Sequence, residues 1–121
     1  MKRLYYLCLV SLMVGTLHAA DTITMADLPY FFDFEDQTEM SNWTLNEKAA
    51  TPNEWHVGAY DAYTGQYSMY VSCDSGKTNT YTGTSNIVVA YRPIRLDAGE
   101  YDIAFDYKGE GNGNNGFLKI F

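Results

Sequence analysis

Residues 91–121 read YRPIRLDAGEYDIAFDYKGEGNGNNGFLKIF and contain the clearest strand signal of the chain. Within them, residues 101–107 alternate aromatic or aliphatic side chains with Asp or Ala, a period of two that is typical of a half-buried β-strand. The glycine- and asparagine-rich residues 109–116 predict a hairpin loop rather than a phosphate-binding loop, because they open no helix. Residues 117–121 begin a further apolar strand, at which the sequence stops. We therefore expect a β-sandwich that is C-terminally truncated.

Shorter strand signals occur along the rest of the chain. At residues 30–36, Phe32 and Phe34 share one face of the predicted strand, and residues 66–72 alternate in the same way. Further strands or strand ends are predicted at residues 43–45, 54–58 and 86–92. No stretch after residue 25 keeps a helical period over three turns. Many short strands separated by Gly and Asn turns indicate an all-β fold, an antiparallel β-sandwich.

The first 20 residues have the order of a secretory signal peptide. Lys2 and Arg3 precede an apolar run at residues 4–17, and small residues follow it. The run is shorter than the roughly 20 residues that span a bilayer, which favours a cleaved signal over a retained membrane helix. We expect cleavage after Ala19 or Ala20, no transmembrane segment afterwards, and a secreted or cell-surface location.

The expected organisation is a signal peptide at 1–20, a polar leader at 21–28 and a partial domain at 29–121. Cleavage removes two of the eight basic residues and none of the fifteen acidic ones, which leaves a net charge of −9. Such an acidic chain argues against nucleic acid as a partner, because phosphate backbones need clustered Lys and Arg. Cys73 is the one cysteine of the mature segment, so an internal disulfide is excluded and stability must come from the core or from a metal.

Six sequence blocks resemble, in order and spacing, those of the cleaved-adhesin or choice-of-anchor J domains. The blocks are FDFED at 32–36, WT at 43–44, WHVG at 55–58, GQYSMYVS at 65–72, VAYR at 89–92 and GEYDIAFDYK at 99–108. These MAM-like jelly-roll domains are typical of large secreted or surface proteins of Gram-negative anaerobes. The resemblance covers roughly residues 29–121 and implies a jelly-roll-like sandwich with further strands and domains C-terminal to Phe121.

The acidic group Asp33, Glu35 and Asp36 suggests a cation site, because Ca²⁺ takes several oxygen ligands at once. The resemblance implies a structural calcium held by Glu35 and by backbone near Gly65, with a last ligand on a strand beyond Phe121. The alternative is that the three acids form a solvated strand face. A second candidate, Asp74 with Asn79 in the polar loop at residues 74–85, is better explained by ordinary Asx turns.

Tyr60, Asp61 and Tyr63 lie in a loop with glycines on both sides, which predicts exposure and a ligand-binding edge. The alternative is that this loop packs onto the sandwich. Trp43 and Trp55 would also suit sugar stacking, but their strand-like neighbours favour burial in the core.

The mature segment shows no catalytic motif. His56 is its one histidine and has no nucleophile motif to serve. We expect a non-catalytic adhesion or carbohydrate- or protein-binding module of a larger secreted or cell-surface protein, with a glycan or an extracellular protein as its ligand. The alternative is a purely structural spacer domain that accompanies a downstream enzyme.

Overall fold

The computed structural model describes residues 21–47, 52–83 and 87–109, together with Leu118 and Ile120. The predicted signal peptide, most of the predicted hairpin loop and most of the strand at 117–121 lie outside these residues. In the described part, no helix is both long and apolar enough to cross a membrane.

The described chain is β-rich, with antiparallel strand pairs and two single-turn helices. A 3-10 turn at Met25–Asp27 and helix α1 at Gln37–Met40 precede the strands. The strands are β1 Thr44–Leu45, β2 Glu54–Gly58, β3 Ser68–Ser72 and β4 Ala90–Tyr91. Strand β1 pairs with β4, and β2 pairs with β3, each antiparallel.

The β2–β3 pair is the longest ladder, and its register follows the alternation in the sequence. Trp55 lies opposite Val71 and Val57 opposite Met69, so the larger apolar side chains share one face. The predicted strands at 43–45, 54–58 and 66–72 are confirmed within one or two residues at their ends. Of the strand predicted at 86–92, only β4 is formed.

The strand predicted at residues 30–36 is wrong. Phe34 has a φ of 70°, a left-handed conformation that breaks an extended strand. Asp33 Oδ1 accepts a hydrogen bond from the Glu35 amide at 3.1 Å, and Asp36 Oδ1 accepts from Thr38 N at 2.8 Å, which caps α1. Phe32 and Phe34 nevertheless lie on the same side of the segment, where their ring centroids are 4.9 Å apart.

The strand predicted at residues 101–107 is also wrong for the described structure. The segment forms no strand, and its alternating apolar side chains are exposed, Ile103 by 77 % and Tyr107 by 74 %. Alternation describes the two faces of a strand, but a strand also needs a hydrogen-bonded neighbour. Within the described residues none pairs with this segment.

Two asparagine side chains connect separate segments, because each amide group hydrogen-bonds to both the N–H and the C=O of one distant residue. Asn46 Oδ1 accepts from Trp55 N at 2.5 Å, and its Nδ2 donates to Trp55 O at 2.9 Å. Asn53, which is 5 % exposed, bonds both backbone polar groups of Thr82 in the same manner. Trp55 also donates from Nε1 to the Val88 carbonyl, but it is half-buried rather than enclosed in a core as the sequence predicts.

Ile23, near the N-terminal end of the described chain, is its most deeply buried apolar residue. Ile23 is 3 % exposed and forms a parallel bridge with Ile94. Its amide donates to the Pro93 carbonyl at 3.1 Å, and its carbonyl accepts from Arg95 N at 2.8 Å. The segment that was predicted as a polar leader is therefore part of the fold.

Candidate functional site

The loop between β2 and β3 carries the predicted ligand-binding residues. It leaves β2 at Gly58 and enters β3 at Ser68. Tyr63 is 86 % exposed, and Tyr60 is 51 % exposed with its ring 6.2 Å from the ring of Tyr70. Tyr63 therefore presents its aromatic face to solvent, whereas Tyr60 rests partly on the sheet.

Asp61 fixes this loop through both its backbone and its side chain. Its carbonyl accepts from Ser68 Oγ at 2.7 Å. Its Oδ2 accepts from Lys108 Nζ at 2.7 Å and from Asn79 Nδ2 at 3.3 Å. Asn79 and Lys108 thus meet at the carboxylate of a residue between the two tyrosines, and the sequence pattern did not predict either as its partner.

The loop that follows β3 is an Asx-type turn, as the sequence favours. Asp74 Oδ1 accepts from Ser72 Oγ at 2.6 Å and from Thr78 N at 3.0 Å, and its Oδ2 accepts from Thr78 Oγ1 at 2.8 Å. These hydrogen bonds, with that from the Ser72 hydroxyl the strongest, lower the pKa of Asp74 to about 2. Its carboxylate oxygens are engaged in shaping the turn.

Glu35 and the chain around Gly65 come together, as the resemblance implies for a calcium site. The groups that meet Glu35 are amides, however: its Oε1 accepts from Gln66 N at 2.6 Å and from Tyr67 N at 2.8 Å. Gly65 has a φ of 71°, and a Cβ at this position would collide with Glu35 Oε1. Glu35 therefore fastens the turn that leads into β3.

The described residues contain no group of three or more His, Cys, Asp or Glu side chains that could hold a metal ion, and backbone carbonyls are a further source of calcium ligands. Ca²⁺ takes about six to eight oxygen ligands, whereas Asp33 bonds the Glu35 amide and Asp36 caps α1. Glu35 is left as the candidate first ligand of a site that needs further oxygens.

A cluster that the sequence did not predict joins α1 to the end of β4. Arg92 donates from Nε to Glu39 Oε1 at 2.6 Å and from Nη2 to Glu39 Oε2 at 3.3 Å. The Tyr30 hydroxyl donates to the same Oε1 at 2.7 Å, and Asn42 Nδ2 donates to Oε2 at 3.1 Å. The carboxylate of Glu39 is thus bound by three side chains, of which the Arg92 side chain is only 5 % exposed.

The electrostatics of this cluster keep Glu39 ionised and Tyr30 neutral. The Arg92 hydrogen bonds lower the pKa of Glu39 to about 2 against the cost of burial. Burial, and then the hydrogen bond to Glu39, raise the pKa of Tyr30 to about 12. The cluster borders a cavity of about 150 Å³ that Asp21 and Asp27 also line.

Cys73 and His56 are the residues whose types would suit nucleophilic or base chemistry, and each has a different neighbour. Cys73 Sγ is 3.9 Å from Thr80 Oγ1. His56 Nε2 is 3.7 Å from Glu54 Oε2, beyond hydrogen-bond distance.

Comparisons with protein-family models, with curated proteins and with solved structures gave no match to this chain.

Proposed function

We propose that this chain is part of a non-catalytic adhesion module, exported and carried by a larger secreted or cell-surface protein, that binds a glycan or an extracellular protein. The loop that contains Tyr60, Asp61 and Tyr63 is the binding surface. A jelly-roll-like sandwich is the proposed complete fold, and the antiparallel pairs β1–β4 and β2–β3 support it.

The observation that carries the proposal is the exposure of Tyr63 beside Asp61, whose carboxylate is bound by Lys108 and Asn79 and whose carbonyl is bound by Ser68. A tyrosine that is 86 % exposed leaves a large apolar face in water, and such faces are enriched in binding surfaces. The ring can pack on the apolar face of a sugar or of a protein side chain, while its hydroxyl stays hydrated.

Preorganisation of the loop supports the same proposal. Because Ser68, Asn79 and Lys108 already hold Asp61, binding does not have to order the loop backbone at that residue. Lys108 and Asn79 also bring nitrogen donors to Asp61, in the loop that carries both tyrosines, where hydroxyl or carbonyl oxygens of a ligand would lie.

A screen of the secreted protein against immobilised oligosaccharides and extracellular-matrix proteins tests the proposal. The expected result is saturable binding that falls when Tyr63 is replaced by Ala. Absence of binding above background would contradict the proposal and favour a structural spacer domain. Binding that survives replacement of both tyrosines would place the site elsewhere on the molecule.

A further inference from the structure

The amide of Asp21 lies in a polar site at the boundary between the predicted signal peptide and the folded chain. Asp21 N donates to Asn42 Oδ1 at 3.0 Å. Asn42 is oriented for this contact, because its Nδ2 donates in turn to Glu39 Oε2. The Asp21 carbonyl accepts from Arg92 Nη1, so both backbone polar groups of Asp21 are bound by side chains.

The charges around this amide favour a cation. Asp21 and Asp27 carry carboxylates, and both residues line the cavity beside Glu39 and Arg92. Glu39 and Arg92 neutralise each other as a paired carboxylate and guanidinium. Asp27 accepts from the amide and hydroxyl of Thr24, each at 2.8 Å, which keeps it ionised. The lining therefore holds three carboxylates and one guanidinium, a net charge of −2, although Arg92 also acts on Asp27.

We propose that signal cleavage occurs between Ala20 and Asp21 and that this site binds the new α-ammonium group of Asp21. The inference rests on the proposed export of the chain but not on the proposed ligand. Hydrolysis breaks the bond between the Ala20 carbonyl carbon and Asp21 N. Water gives its hydroxyl to the carbon and a hydrogen to the nitrogen, and the proton released by the new carboxyl group is taken up by the amine.

The ammonium group keeps the bond to Asn42 and adds a positive charge where the lining is net negative. A cut after Ala19 would not do this, because Asp21 N would remain a peptide amide and the charge would lie one residue earlier. Docking of the new terminus would also hold Ile23 against Ile94, since only one residue separates Asp21 from Ile23.

The groups that face the α-amine predict its titration. Asp21 and Asp27 stabilise the charged form, and Glu39 acts through Asn42, while Arg92 opposes it. Tyr30 is neutral at physiological pH. We expect the pKa of the docked amine to lie above the ordinary range of roughly 7.7–8.0 for an α-amino group. A rise of one unit leaves about tenfold less neutral amine at pH 7, so acylation should be about tenfold slower.

The test uses the full chain exported from a bacterial host. Intact mass gives the cleavage position, and the rate of N-terminal acylation at pH 7 is then compared between native protein and protein in concentrated urea. The expected results are an N-terminus at Asp21 and a native rate about tenfold below the denatured rate. Asn42→Ala should remove most of this protection, whereas Ser41→Ala, in the same turn, should retain it.

The contrary outcomes distinguish failure of the docking site from failure of the proposed function. An N-terminus at Ala20, or equal acylation rates for native and denatured wild type, would overturn the docking site while leaving the proposed function intact. Retention of residues 1–20 on all of the protein would overturn both the docking site and the proposed function, since each requires export with signal cleavage. If Asn42→Ala is not secreted, the comparison of native with denatured wild type still decides the result.

Discussion

Arg92 and Glu39, which are 53 positions apart, form a two-point ion pair in which Nε and Nη2 of the guanidinium each meet one carboxylate oxygen. The pair connects α1 to the chain after β4, and the Arg92 side chain is 5 % exposed while that of Glu39 is 20 % exposed. The pair therefore joins early and late parts of the described chain in a largely water-excluded position.

Removal of one partner should be strongly destabilising. We expect Glu39→Ala to lower the free energy of unfolding by about 3 kcal/mol, because it leaves the largely buried Arg92 guanidinium without the carboxylate that binds it at two points. Glu47→Ala is the matched control, since Glu47 is exposed, and it should change stability by less than about 0.5 kcal/mol. Urea denaturation of both variants measures the difference, and equal midpoints would contradict a stabilising role for the pair.

The same pair predicts an acid-dependent loss of stability. Glu39 has a pKa of about 2 in the folded state, against 4.5 for an unperturbed carboxyl group. As the pH falls, Glu39 therefore takes up a proton in the unfolded chain before it does so in the folded one. The stabilisation that ionised Glu39 provides is complete above pH 4.5 and is lost as the pH falls toward 2. Thermal melts between pH 6 and 2 should show a shallower decline for Glu39→Gln than for wild type.

Asp74 provides the internal check on that measurement. Its pKa is also about 2, because the Ser72 hydroxyl and the Thr78 amide and hydroxyl hold the ionised form. Its contribution is present in wild type and in Glu39→Gln alike, so the difference between the two curves isolates Glu39. Parallel curves over the whole range would show that Glu39 is not protected from protonation in the folded state.

Gly65 should be the least replaceable glycine of the β2–β3 loop. Gly65→Ala introduces a Cβ against Glu35 Oε1 at a φ of 71°, and we expect a loss of about 2 kcal/mol. Gly83 is the control, because a Cβ built there meets no atom within 4 Å. Chemical denaturation of the two alanine variants compares them. A Gly65→Ala protein as stable as the Gly83→Ala protein would contradict the described turn.

Calcium binding through Glu35 is tested by separating its charge from its hydrogen-bonding role. We expect the complete domain that the resemblance implies to melt at a higher temperature in calcium than in chelator, since extracellular sites work at roughly 10⁻⁴ to 10⁻³ M. Glu35→Gln keeps an acceptor for the Gln66 and Tyr67 amides but loses the charge, so its two midpoints should coincide. Identical midpoints for wild type would remove calcium from the proposal.

The sequence predicted local strand structure where alternation and pairing agree. Strands β2 and β3 were predicted correctly because each pairs with the other across one short connecting loop. At residues 30–36 the alternation was misleading, since Phe34 adopts a left-handed conformation. Asp36 followed three residues later by Glu39 is a helix-start signal, and it would have indicated α1.

The candidate sites were predictable only in part. The glycines that flank the loop indicated exposure of Tyr63 but left packing onto the sandwich open, and the structure shows Tyr63 exposed. The partners of Asp61 and the pairing of Glu39 with Arg92 link residues far apart in the chain, and no local period encodes such contacts. Glu35 met the Gly65 region as the resemblance implied, although through amides that the resemblance did not specify.

The central claim is that Tyr60 and Tyr63 form the binding surface, and its most direct test is the affinity of tyrosine variants for the strongest ligand found in the screen. Phe31→Ala is the matched control, because Phe31 is an aromatic residue outside the loop that is 82 % exposed. The account predicts that Tyr63→Ala weakens binding by at least about tenfold, or about 1.4 kcal/mol, and that Tyr60→Ala also weakens it. Phe31→Ala should stay within about twofold of wild type, which is under 0.5 kcal/mol. Wild-type affinity in both tyrosine variants would contradict the claim.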